Sequence, residues 1–150
     1  MNLDLFGGLY KSFVKIDLIS ETIKKIDLHH RKNLEKSWIS CFSHNYKNDF
    51  YLLGTYSKKI FLMDRTSDTP IDIIDYHDGG VNNLITLSDG IRFLSGGRKD
   101  DYIYLWDLRK REAPVSSFYR KNQSNQRNKF CIDNNEKYLI SGNTVTDNLT

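Results

Sequence analysis

Apolar and polar residues alternate along this chain in short runs rich in Ile, Val, Leu, Phe and Tyr, each bounded by Gly, Asn, Asp or Ser. Period-two alternation of this kind, punctuated by turn formers, reads as β-strands. It predicts strands over Leu5–Tyr10, Phe13–Ile19, Thr22–Leu28, Trp38–Ser43, Phe50–Tyr56, Lys59–Asp64, Ile71–Tyr76, Val81–Leu87, Ile91–Ser95, Tyr102–Leu108, Val115–Tyr119, Lys129–Ile132 and Tyr138–Ser141. The best helical rival is Ile19–Lys36, where Ile19, Ile23 and Ile26 would share one helical face. Leu28 falls off that face and His29 to Asn33 add nothing apolar to it, so a strand ending at Leu28 fits better. The chain is therefore predicted to be all-β.

The runs also repeat. Asp17, Asp64 and Asp107 each close a strand that follows a glycine-marked strand, with Gly7, Gly54 and Gly97 each ten positions earlier. The separations are 47 and 43 residues. A further unit, Tyr138-Leu139-Ile140-Ser141-Gly142, echoes Arg92-Phe93-Leu94-Ser95-Gly96. The segment Ile91–Arg109 holds two runs joined by a polar turn and ends its second run in Trp106-Asp107. A Trp-Asp pair closing a short strand marks a WD-repeat propeller blade, and such blades recur every ~40–45 residues with four strands each. The expected architecture is a partial WD-repeat β-propeller of roughly three blades of four antiparallel strands. A partial blade would occupy residues 1–37, with blades over about 38–80 and 81–128 and a partial blade over 129–150. Val145–Thr150 lacks the strand expected next. Propellers close with ~4–8 blades, so the sequence is expected to be one part of a longer ring.

Composition narrows the partners little. A formal charge of +3, from 22 basic and 19 acidic residues, neither demands nor excludes nucleic acid. The 13% aromatic content suits strands packed face to face. Cys41 and Cys131 match no metal or redox spacing and lie in apolar runs, so both are expected to be reduced core residues of an intracellular protein. Asp4, Lys11 and Asp17 interrupt any signal-peptide run, and no segment approaches the ~20 apolar residues of a membrane span.

His77, Ser95, Asp100 and Trp106 fall where WD blades place a structural tetrad, with indole to hydroxyl, hydroxyl to imidazole and imidazole to carboxylate. Ser95 stands one residue further from Asp100 than is usual. Ser, His and Asp also suggest a hydrolase, but no G-x-S-x-G elbow surrounds Ser95, and no catalytic residue is predicted. His29, His30 and His44 form no metal-ligand spacing, and Gly96-Gly97-Arg98-Lys99 lacks the rest of a phosphate loop. No metal, cofactor or small-molecule substrate is expected.

From Arg98 to Lys129, nine basic residues stand against four acidic ones, with Tyr102, Tyr104 and Tyr119 among them. Basic side chains pair with phosphates and aromatic faces stack on unpaired bases, although a solvated loop surface has the same composition. The text Trp38-Ile39-Ser40-Cys41-Phe42, Gly54-Thr55-Tyr56-Ser57 and His77-Asp78-Gly79-Gly80-Val81 resembles the telomerase Cajal body protein family of WD repeats. The resemblance continues through Asp89 to Asp100, Trp106-Asp107-Leu108-Arg109, Asn125-Gln126-Arg127 and Tyr138 to Gly142. It implies a nuclear, non-enzymatic scaffold that binds small Cajal body RNAs and telomerase RNA, together with ribonucleoprotein proteins, and directs them to Cajal bodies. By that analogy Arg98, Lys99 and Arg127 contact RNA, and Gln126 reads a base edge or supports the loop. Two alternatives stand beside it. Trp106-Asp107-Leu108-Arg109 also resembles the W-D-x-R pattern of cullin ubiquitin-ligase substrate receptors, which makes Arg109 an adaptor-binding candidate. A propeller adaptor with only protein partners is the other.

Overall fold

The computed structural model of the protein describes residues 4–28, 37–44 and 47–143. Its strands are β1 Asp4–Gly8, β2 Ser12–Asp17, β3 Thr22–Asp27, β4 Ile39–His44, β5 Phe50–Thr55, β6 Lys59–Asp64 and β7 Pro70–Asp75. They continue as β8 Val81–Thr86, β9 Arg92–Gly97, β10 Tyr102–Asp107, β11 Ser116–Tyr119, β12 Phe130–Ile132 and β13 Leu139–Ser141. Among the described residues there is no helix, and Thr22–Asp27, the heart of the helical rival, is a strand. His29, His30 and Val145–Thr150 lie outside the described residues.

Each strand pairs antiparallel with its sequence neighbour. The sheets are β1-β2-β3, β4-β5-β6-β7, β8-β9-β10-β11 and β12-β13. The all-β partial propeller expected from the repeats is what the chain forms. Alternation explains why the sheets stack. Along β5 and β6, Leu52, Ile60 and Leu62 point toward the β8–β11 sheet and pack with Val81, Leu84, Phe93 and Trp106. Their neighbours Tyr51, Leu53, Phe61 and Met63 point the other way and pack with Phe13, Ile26 and Leu28 of the first sheet. A third cluster joins Leu94 and Ile103 to Phe130 of the last sheet. Period-two strands thus serve two apolar interfaces at once, each fully buried large side chain contributing about 1.5–3 kcal/mol.

Cys131 corrects the expectation of two core cysteines. It is exposed on β12, where the two-stranded sheet leaves that face uncovered. Cys41 is half-buried, and burial pushes its thiol up to about 12.

The repeated aspartates end strands by capping turns. Asp17 Oδ1 accepts from the Ile19 and Ser20 amides at 2.9 and 3.3 Å. Asp64 Oδ1 accepts from the Thr66 and Ser67 amides at 2.9 and 2.7 Å, and Asp107 Oδ1 accepts from the Arg109 amide at 2.9 Å. These Asx turns explain why a short acid recurs at each position. The backbone amides hold Asp17 and Asp64 below the usual aspartate range, and the Arg109 guanidinium with its amide brings Asp107 to about 2. A carboxyl whose pKa is lower in the folded state stabilises that state above its unfolded pKa, and the contribution is lost on acidification. Below a gentler decline that begins near pH 6.5, where burial and the Arg65 charge hold the His44 imidazole below its usual range, urea unfolding midpoints should therefore decline from about pH 4 toward 2. Asp17→Asn and Asp64→Asn together should shrink that decline; an unchanged acid limb would exclude these turns as its source.

Candidate functional site

One buried network stands out at the entry to β10. His77 Nδ1 lies 2.6 Å from Asp100 Oδ2, His77 Nε2 lies 2.7 Å from Ser95 Oγ, and Trp106 Nε1 donates to Ser95 Oγ at 2.8 Å. All four residues are at most 4% exposed. The partners assign the protons: ionised Asp100 accepts from Nδ1–H, so neutral Nε2 accepts from the Ser95 hydroxyl, which accepts from the indole. Burial alone would raise the Asp100 carboxyl, but His77 and the Tyr102 and Asp78 amides together hold it below the usual aspartate range. The network ties the loop before β8 to β9 and β10. The positions equivalent to Trp106, judged from the closing aspartates, are Ile16 and Met63. Both are apolar, and Met63 packs with Phe13 and Phe61 where Trp106 of the third sheet makes a hydrogen bond.

The network also anchors the surface around it. The turns β1–β2, β5–β6 and β9–β10 share one end of the sheets with the loops leading into β4, β8 and β12. Backbone bonds join them: Lys11 N to Ser37 O at 2.9 Å, Tyr56 N to Trp38 O at 3.0 Å, Arg98 N to Gly80 O at 2.8 Å and Lys99 N to Ser124 O at 3.3 Å. Arg98 lies over the Tyr56 ring, 3.8 Å from its centroid, a cation–π stack across two sheets. Lys99 is exposed at φ 50.

Gln126 and Arg127 are exposed on the loop before β12, and the Arg127 guanidinium donates to the Ser40 carbonyl. That loop is held from within. Asn122 is fully buried; its Nδ2 donates to Gly97 O at 2.8 Å and its amide N to Asp101 Oδ1 at 2.6 Å. Arg120 Nη1 donates to Asn128 O at 3.1 Å and to Ser141 Oγ at 2.9 Å. Arg127 and Lys129 line a cleft of about 610 Å³ together with Trp38, Tyr56 and residues of β1.

The basic run from Arg98 to Lys129 is not one surface. Arg120 is 6% exposed, so its charge is spent inside. Arg109 sits at the far end of β10, both sides of its fork on Asp107, with Nε to Oδ1 at 2.9 Å and Nη2 to Oδ2 at 2.6 Å. Arg98, Lys99, Gln126 and Arg127 share the opposite end. Sequence reasoning misses the exposed ring pair Tyr10 and Trp38, with centroids 5.7 Å apart. It also misses the buried carboxylate of Asp68, held by Lys15 Nζ, Lys24 Nζ and the Tyr51 hydroxyl at 3.3, 2.7 and 3.2 Å. Among the described residues no cluster of three or more metal-ligating side chains occurs.

No family model matches the chain. In sequence it is similar to telomerase Cajal body protein 1 of Homo sapiens, 33% identical over 114 residues, and to that of Bos taurus, 34% identical over 106. These matches cover 76% and 71% of this chain, which spans about a fifth (21% and 20%) of those relatives. In structure it is similar to a chain in the crystal structure of the mitotic checkpoint complex, with TM-score 0.73 and 22% identity, covering 93% of this chain and 42% of that one. The crystal structure of the RRP9 WD40 repeats superposes with TM-score 0.66 and 16% identity, covering 80% of this chain and 36% of that one. Sequence likeness and shared architecture point the same way: over about three quarters of its length the chain is similar to telomerase Cajal body protein 1, and its fold is that of WD40-repeat β-propellers.

Proposed function

We propose that this protein is a non-enzymatic RNA-binding scaffold of the nucleus that carries small Cajal body RNAs and telomerase RNA to Cajal bodies. The observation that carries the reading is the gathering of Arg98, Lys99, Gln126 and Arg127 at one end of the sheets, beside exposed aromatic rings and a cleft. Cations there neutralise phosphates, and the Gln126 amide offers a donor and an acceptor to a base edge. The relatives' name, telomerase Cajal body protein 1, supports the link to telomerase and the compartment. A non-catalytic role is supported by the Ser95 hydroxyl, which is 0% exposed and committed to two hydrogen bonds, so no substrate reaches it. The occupied fork of Arg109 weighs against a ligase-adaptor role.

In the intact protein, Arg98→Ala with Lys99→Ala should weaken RNA binding and flatten the slope of log K against log salt by about 1.4, two cations at ~0.7 each on single strands. Unchanged affinity and slope would remove these residues from the interface. Partners that survive ribonuclease in a pull-down while no RNA co-purifies would favour a protein-only adaptor.

A further inference from the structure

Six non-glycine residues among those described have positive φ, and they divide by charge and by end. Lys11 at φ 58, Lys58 at φ 73 and Lys99 at φ 50 occupy the turns β1–β2, β5–β6 and β9–β10. Glu21 at φ 54, Asp68 at φ 53 and Glu136 at φ 56 occupy turns at the opposite end. Left-handed backbone carries a steric cost for any side chain, and Gly, Asn or Asp relieves it best. Lys11 Nζ lies 5.0 Å from the Tyr10 ring centroid, at the same tip, and lysine is not a residue that this backbone favours. Its recurrence at the tip of the same turn in three consecutive sheets points to what the side chain does. Beside these tips lie the Tyr10–Trp38 pair, 45% and 54% exposed, and the Tyr56 ring beneath Arg98. The acids at this end are largely engaged: Asp27 and Asp75 pair with Lys25 and Lys59, Asp100 is sealed in the tetrad, and Asp101 accepts from Asn122 and Gln123. Asp78 faces solvent beside them.

We infer that Lys11, Lys58 and Lys99, with the Tyr10–Trp38 pair, form one strip across three sheets that holds unpaired RNA, the lysines on phosphates and the rings on bases. The inference rests on the RNA-binding reading and extends it from Arg98 and Lys99 to two earlier sheets. Neighbouring sheets stand roughly 10 Å apart and a stacked strand advances about 3.4 Å per nucleotide, so a chain laid across the tips meets a cation about every third nucleotide, and more often where it is unstacked and extended. Between cations, aromatic faces accept any base, because every base has a π-face. A duplex, whose bases are stacked on one another, leaves the rings empty.

The test uses the intact protein, an unstructured RNA oligonucleotide, and the same RNA annealed to its complement. Lys11→Gly with Lys58→Gly relieves both turns, so the unfolding midpoint should hold or rise while affinity for the unpaired RNA falls about tenfold. The salt slope should flatten by about 1.4. Trp38→Ala should weaken unpaired RNA about tenfold with the slope unchanged. If the glycine pair binds as tightly as the parent while Arg98→Ala with Lys99→Ala does not, the strip is wrong and the RNA reading stands. A parent protein that binds neither RNA overturns the reading beneath it. Equal affinity for duplex and unpaired RNA overturns the stacking role, and displacement by polyglutamate as effective as by RNA overturns nucleic acid as the occupant.

Discussion

His77→Ala should destabilise the fold by about 3 kcal/mol or more, which makes it one of the most damaging substitutions available outside the apolar clusters. The imidazole joins two groups that have no route to water. Without it the Asp100 carboxylate keeps the Tyr102 and Asp78 amides, at 3.1 and 3.3 Å, but loses its 2.6 Å partner. The Ser95 hydroxyl loses its acceptor at 2.7 Å, and a cavity opens beside the Tyr104 ring, whose centroid lies 4.9 Å from that of the imidazole. Trp106→Phe is the graded control. It keeps most of the packing against Phe93, at 6.0 Å between centroids, and removes one donor, so about 1 kcal/mol should be lost. Urea unfolding of the intact protein measures both. Equal losses for the two variants would mean that the tetrad acts through volume alone and not through its hydrogen bonds.

How much of this was readable from the chain depends on whether a feature is local. Alternation specifies all thirteen strands to within two residues, because each is one run bounded by turn formers. The aspartates at 17, 64 and 107 mark strand ends because each caps its own turn. Features that join distant sheets leave no such trace. Tyr56 and Arg98 meet only because the loop before β8 carries one sheet over the next. Arg120 reads as one more surface cation, yet the carbonyls of Gly97 and Asn128 draw it inside. Arg98 and Arg109 look like one basic run, but β10 lies between them and carries Arg109 to the far end. The turn lysines are hidden for a different reason. Lys11 and Lys58 each stand six residues before the closing aspartate and Lys99 stands eight before it, so a longer third turn masks the equivalence.

Gly79→Ala should cost about 3 kcal/mol and, unlike the tetrad variants, should damage the proposed RNA surface directly. A Cβ on Gly79 would run into the Arg98 carbonyl, backbone against backbone. Neither side can yield cheaply. Arg98 N donates to Gly80 O at 2.8 Å, Lys99 N donates to Ser124 O at 3.3 Å, and the Asp78 amide donates to Asp100 at 3.3 Å. Moving the Arg98–Asp101 turn outward breaks these bonds, lifts Arg98 from the Tyr56 ring and pulls Asp100 from His77 together. The expected result is a lower unfolding midpoint together with weaker RNA binding, larger in both respects than for Gly7→Ala, where a Cβ would meet nothing within 4 Å. If Gly79→Ala lost stability yet bound RNA at parental affinity, the Arg98–Lys99 turn could not be part of the interface, because no displacement of that turn leaves its cations where they were.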